Sequence, residues 1–335
     1  MWVNLTTEQK QNVITQTAVK TGLPAYAVEK DGWVCILLQA IFQSKYAEHI
    51  IFKGGTSLSK AYNIINRFSE DVDLIIDRNF LGFEVLPSKT SIKKLRAASG
   101  SFIINEFREE LIEQLSKLGI DSTTYAIEYN EKVDDTSDPN TLEFFYNPVV
   151  ANPNNYIKPR VLIEMGARSL TEPTEEREVI SFIDQEFANL PFAQKSTKLK
   201  VVVPTRTFIE KVLLLHEEFL KPEGQIRSER LSRHLYDLDR LMDTEYAQNA
   251  YNDFALFNMI VEHRKTVTPL RNITYDKHNR DSLQIIPPNS VYKDWEQDYK
   301  VMQENMIVGE SKPFLILLER MQEIMSNFKN AEEKI

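Results

Sequence analysis

The period of the apolar positions changes several times along the chain, and each change marks an element. Thr6-Thr7-Glu8-Gln9 offers an N-cap followed by an acidic first turn, which predicts a helix over residues 6–21 that Pro24 interrupts. From Ala25 to Phe42 the residues Val28, Trp33, Ile36, Leu37, Ala40 and Ile41 recur at helical spacing and predict a second helix with a broad face for a sheet. Ile50, Ile51 and Phe52 read as a short buried strand. Lys53-Gly54-Gly55-Thr56-Ser57 is then a glycine turn, and Leu58, Ala61, Tyr62 and Ile65 return to helical spacing. Asp71 and Asp73 open a run of strand formers in which Val72, Leu74 and Ile76 face the core.

Residues 79–88 have loop composition, and 91–118 predict one or two amphipathic helices broken at Gly100. Residues 123–130 and 142–146 alternate as strands, with a hairpin loop over 133–140 between them. Lys158 to Gly166 is a further strand, with Val161, Ile163 and Met165 on one face and Leu162 and Glu164 on the other. From Lys195 the chain turns mostly helical. Val201 to Val203 form a short strand stopped by Pro204, residues 207–220 a helix, Glu223-Gly224-Gln225 a linker and residues 228–242 another helix. The expectation is an α/β fold with a mixed sheet over residues 1–200, joined to a helical domain over 201–335.

Composition narrows the function without naming it. The 335 residues, 42% hydrophobic and 27% charged, suit a globular protein with a substantial core. The single cysteine, Cys35, lies in an apolar run and excludes a disulfide framework within the chain and a cysteine-rich zinc site. No apolar run approaches the roughly 20 residues of a membrane span, and the first residues lack a leader pattern, so a cytoplasmic protein is expected. A net charge of −9 argues against a broadly basic nucleic-acid surface. Local basic groups remain at Lys93, Lys94 and Arg96, at Lys195, Lys198 and Lys200, and from His263 through Arg264, Lys265, Arg271, Lys277 and His278 to Arg280. Each is either a solvated face or part of a phosphate track.

The chemistry concentrates between residues 50 and 77. Adjacent Gly54 and Gly55 let the backbone approach a ligand closely, and the N–H groups of a following helix start suit a phosphate oxygen. Asp71 and Asp73, two apart on a strand, share a face with Cα atoms roughly 6 to 7 Å apart. Like charges that close repel unless a cation lies between them or a proton is shared, and a hard ion such as Mg²⁺ takes carboxylate and phosphate oxygens. The alternative is a solvated Asp-x-Asp at a strand mouth. Glu164 either joins this acidic pair, if its strand is a neighbour, or sits on a wet sheet edge. Lys211 departs from the apolar face of its helix and, read alone, is a surface lysine beside Glu210 and Glu218. Asp237, four residues after Arg233 and three before Arg240, reads alone as a helix-surface ion ladder.

Phe52-Lys53-Gly54-Gly55-Thr56-Ser57-Leu58 followed by Arg67-x-Ser69-x-Asp71-x-Asp73 resembles the nucleotidyltransferase toxins of the AbiEii/AbiGii abortive-infection and toxin–antitoxin class. Glu29-Lys30-Asp31 resembles the family too, although Gly32 stands where an aromatic residue is expected, as do Thr207-Phe208-x-Glu210-Lys211 and Arg233-x-x-Tyr236-Asp237-Leu238. The resemblance implies a polymerase-β-like fold, with the helical domain completing the active-site cleft. It implies Mg²⁺ held by Asp71, Asp73 and Glu164, and an NTP held by Lys53, Gly54, Gly55, Thr56, Ser57, Arg67, Ser69 and Lys211. Asp237 would serve as a second-domain catalytic carboxylate, and Arg67 would either contact phosphate or pin the loop. The implied acceptor is RNA, the 3′ end of a tRNA, with a neighbouring antitoxin. Transfer to a protein or small molecule, or a silent nucleotide-binding regulator, are the rival readings. Intact Asp71, Asp73 and Lys211 count against the regulator.

Overall fold

The structure, a computed structural model, describes residues 1–86, 88–129, 139–153, 158–270 and 273–333. The chain divides into two compact units, one comprising Met1–Asn63 and Phe68–Val202, the other Ile64–Arg67 and Val203–Ile335. In the first unit α1 (Thr7–Thr21) starts from a capping box in which Thr6 and Gln9 each satisfy the other's backbone N–H. Next come α2 (Ala25–Phe42), β1 (Ile50–Lys53), α3 (Gly54–Lys60), β2 (Val72–Ile76) and α4 (Lys89–Phe102). A π turn (Ile103–Phe107) leads into α5 (Arg108–Lys117), then β3 (Tyr125–Tyr129), β4 (Asn140–Tyr146), β5 (Arg160–Gly166), β6 (Thr174–Val179), α6 (Phe182–Glu186) and β7 (Thr197–Val202).

The strands form one seven-stranded sheet in the order β3-β4-β5-β2-β1-β7-β6. It is mixed, as expected: β2 runs parallel to β5 and β1 to β7, whereas the other neighbours are antiparallel. Sequence periodicity misplaced several boundaries. Helix α3 ends at Lys60 rather than continuing to Ile65, and Asn63, a residue type that tolerates it, takes a left-handed φ of 53°. The break expected at Gly100 falls instead at the π turn, and Gly100 is buried inside α4. Of the hairpin loop expected over 133–140, residues 133–138 lie outside the described residues, and Asn140 already begins β4.

Helix α2 is buried nearly all round, and it packs against α1, α5, α6, β5 and β7. Trp33 on α2 stacks on Tyr146 at 5.5 Å and meets Phe144 at 5.4 Å. The neighbouring Gly32 has a packing reason: a Cβ there would lie 2.7 Å from the Trp2 indole, which fills the space an aromatic side chain would otherwise take.

The second unit is helical: α7 (Pro204–Phe219), α8 (Ser232–Leu241), α9 (Glu245–Asn252), α10 (Phe254–Val267), α11 (Tyr292–Asn305) and α12 (Phe314–Asn330). Pro204, read from sequence as a stop, is the first residue of α7, where its missing N–H leaves no bond unmade. Helix α7 packs against α8, α9 and α10, and α8 also against α11 and α12. Among the described residues no helix is long and apolar enough to cross a membrane.

The contact between Gly32 and Trp2 sets a test of sign. Gly32→Ala gains about 1 kcal/mol of helix propensity, but overpacking against a buried indole costs about 1–3 kcal/mol. Urea unfolding should show Gly32→Ala destabilised in the native background and stabilised in a Trp2→Ala background. The same sign in both would refute the contact.

Candidate active site

Register brings the predicted carboxylates together. Along the row that crosses β1, β2, β5 and β4, Lys53 pairs with Asp73, Asp73 with Glu164, and Glu164 with Thr141. Residues opposite one another in paired strands point to the same face, so Asp73 and Glu164 are lateral neighbours with Lys53 on the far side of Asp73. Asp71, two residues earlier, directly precedes β2. All three carboxylates are partly accessible, whereas Leu74, Ile75 and Ile76 farther along β2 are at most 1% exposed. The acidic residues therefore stand at the mouth of a strand whose inner end is core.

The glycine turn is fitted to this strand. Gly54 has a φ of +81°, and a Cβ there would lie 2.0 Å from Asp73 Oδ2, so the missing side chain is the space the carboxylate occupies. Thr56 donates to the Asp71 carbonyl at 2.5 Å and shares a 2.9 Å hydrogen bond with the Ser69 hydroxyl. Ser57 donates to the Gly54 carbonyl at 2.8 Å. Thr56 thus ties the turn to Ser69 and Asp71 ahead of the strand, and Ser57 closes the turn on itself. Lys53 Nζ reaches Ser169 Oγ at 3.1 Å.

Three other predicted residues meet in the second unit. Arg67 forks onto Asp237, Nε to Oδ1 at 2.7 Å and Nη2 to Oδ2 at 2.8 Å. Lys211 Nζ stands 2.8 Å from the same Asp237 Oδ2 and 3.2 Å from His234 Nδ1. Asp237 is fully buried; burial would raise its carboxyl, but Arg67 and Lys211 outweigh that and hold it well below the usual carboxylate range. Burial, opposed by Asp237, lowers the Lys211 ammonium. Burial and the Lys211 charge push His234 well below its ordinary value, leaving a neutral ring to accept at Nδ1. Lys211 is thus no surface lysine. Asp237 binds these two cations, 170 and 26 residues away in sequence, and the ladder with Arg233 and Arg240 read from spacing gives way to them.

Several cations of the third basic group are occupied inside the second unit. Arg264 is paired with Glu217, His278 is 5% exposed, and Arg280 stacks 3.8 Å over Phe254 while donating to the Phe328 carbonyl. Arg271 lies outside the described residues. In the first unit Lys93, Lys94, Lys195 and Lys198 are exposed.

Asp73 and Glu164, adjacent on two parallel strands and backed by a glycine at which a Cβ would meet the Asp73 carboxylate, are hard-oxygen donors of the kind magnesium takes. Among the described residues no three His, Cys, Asp or Glu side chains are drawn into one metal-holding group.

Residues 36–327 match the profile of the nucleotidyl transferase AbiEii toxins of type IV toxin–antitoxin systems. No curated protein matches the chain. Among solved structures, the chain is similar to MenT4, a nucleotidyltransferase toxin from Mycobacterium tuberculosis, at 15% identity, with 96% of this chain and 99% of that one covered and a TM-score of 0.42. It is also similar to JHP933 from Helicobacter pylori at 12% identity, with 90% of each chain covered and a TM-score of 0.39.

Gly54→Ala should combine backbone strain of about 1–3 kcal/mol with displacement of the Asp73 carboxylate. Gly82, with a φ of +83° and nothing within 4 Å of a built Cβ, is the control for strain alone. Thermal unfolding should detect a loss in both alanine variants, and a transfer assay a loss in Gly54→Ala only. Equal activity in the two variants would show that Gly54 does not shape the site.

Proposed function

Because the chain belongs to the AbiEii nucleotidyltransferase toxin family of type IV toxin–antitoxin systems, we propose that it moves an NMP from an NTP to an RNA acceptor. The 3′ end of tRNA is the expected acceptor and the cytoplasm the expected site of action. Blocked tRNA would halt translation, consistent with a toxin restrained by its antitoxin and with abortive infection. The enzyme class follows from the family; acceptor, metal and residue roles are our reading. The observation that carries the roles is the registered pair of Asp73 and Glu164, with Gly54 shaped to Asp73.

Asp71, Asp73 and Glu164 would hold Mg²⁺, which when bound would neutralise charge on the triphosphate and the leaving pyrophosphate. The chain's own groups do the rest. Gly54 and Gly55 keep the turn open to phosphate, and Lys53 supplies a cation beside Asp73. Thr56 and Ser69 hold turn and strand in fixed relation, and Ser57 would add a hydroxyl at the phosphate-facing turn, which keeps the carboxylates oriented as the α-phosphorus is attacked in line. In the second unit Arg67 serves to pin its loop, since Asp237 takes both arms of its fork. Lys211 has three donor directions; Asp237 and His234 take two, and a triphosphate oxygen would take the third.

The acidic net charge does not oppose RNA binding if the exposed lysines at 93, 94, 195 and 198 form the contact. Each α-labelled NTP, offered with Mg²⁺ to total RNA and to total protein, should label RNA. Labelling should fall steeply with salt, with a log–log slope reduced by roughly one for each contributing lysine removed. Reversing these four charges should impair RNA labelling and spare NTP binding. Label on protein alone would contradict the RNA reading and favour the protein acceptor.

A further inference from the structure

Three consecutive charged residues on α2 are buried: Glu29 at 1%, Lys30 at 2% and Asp31 at 3% exposure. Successive helix positions point about 100° apart, so no single polar face can hold all three, and each needs a partner of its own. Glu29 accepts from the Val149 N–H at 2.8 Å, and burial pushes its carboxyl up to about 7. Asp31 binds Lys60, the last residue of α3, at 2.8 Å, and the same ammonium lies 3.9 Å over the Phe182 ring.

Lys30 occupies the most informative position. Its Nζ stands 2.6 Å from Glu70 Oε2 and donates to the Lys158 carbonyl at 3.2 Å. Glu70 immediately precedes Asp71, and Lys158 lies two residues before the start of β5. Because β2 and β5 are parallel, their entrances lie at the same end of the sheet, and one ammonium ties them together. Glu70 is also the third carboxylate within four residues, and Lys30 holds it as a buried ion pair. Such a pair adds little stability over apolar residues of the same shape, while losing one partner leaves an uncompensated buried charge.

We propose that Lys30 is a positioning residue that sets Asp71 and Asp73 in register with Glu164 and keeps Glu70 out of the acidic set, with Asp31 bracing the far end of α3 through Lys60. This rests on the reading that Asp71, Asp73 and Glu164 form the active acidic set. Without Lys30, Glu70 would lose its buried cation beside Asp71, and the two strand entrances would lose their shared anchor.

The test uses the full chain in four forms: wild type, Lys30→Met, Glu70→Gln and the double variant. For each, kcat and the KM for NTP are measured, together with Mn²⁺ binding by electron paramagnetic resonance and the melting temperature. Lys30→Met should lower kcat by about tenfold to a hundredfold, as a small displacement of reacting groups does. KM should stay within about twofold, since the nucleotide's binding contacts are untouched, and Mn²⁺ affinity should change. The double variant, which removes the freed charge, should recover part of the lost kcat.

Wild-type kcat and Mn²⁺ binding in Lys30→Met would overturn the proposal. So would additive effects in the double variant, or loss of fold in all three variants, which would reduce the pair to a stabilising one. Asp71→Asn is the separate control: if it retains transfer, the acidic-set reading fails whatever Lys30 does, whereas an inactive Asp71→Asn beside a fully active Lys30→Met rejects positioning alone.

Discussion

Repulsion between neighbouring carboxylates is the constraint around which the first unit is arranged. Asp73 and Glu164 face one another across a parallel strand pair, with Asp71 at the strand mouth, an arrangement that water-exposed chains avoid. Strand pairing fixes their spacing and Lys53 flanks Asp73. Gly54 gives the Asp73 carboxylate its space, and Thr56 holds the Asp71 backbone. These features make sense together if the repulsion is relieved by a cation and a polyphosphate arriving as substrate, in line with the chain's membership of a nucleotidyltransferase family.

The second unit holds a carboxylate of its own, whose charge is met inside that unit. Its buried carboxylate, Asp237, is compensated from within by Arg67 and Lys211, so the cluster is preformed. Arg67 belongs to a four-residue stretch, Ile64–Arg67, that clusters with the second unit although the residues on either side belong to the first. Its fork onto Asp237 fixes this stretch within the second unit.

The motif chemistry was legible because it is local. The glycine turn, Asp71 and Asp73 lie within twenty residues, and the alternation around Glu164 announced which way its side chain points. Sequence spacing could not say which strands are neighbours, so the pairing of Asp73 with Glu164 required the sheet order. Partners far apart in sequence were equally invisible. Asp237 was assigned to Arg233 and Arg240 on helical spacing, and a charged triplet at residues 29–31 gives no sign that each member is buried against a different segment. Strand β6, rich in Glu, lacks the apolar alternation that marks a strand because it is the sheet's edge. Gly32 departed from the family pattern for a reason that only Trp2, thirty residues away, explains.

If transfer occurs at the carboxylates on β2 and β5, removing their charge should abolish it. Asp73→Asn and Glu164→Gln keep the side chain's shape while removing its charge, so transfer of α-label from NTP should be measured beside thermal unfolding without metal. Transfer should be abolished while the melting temperature stays level or rises, because each substitution relieves repulsion. Near-wild-type transfer at saturating Mg²⁺ in either variant would contradict this expectation.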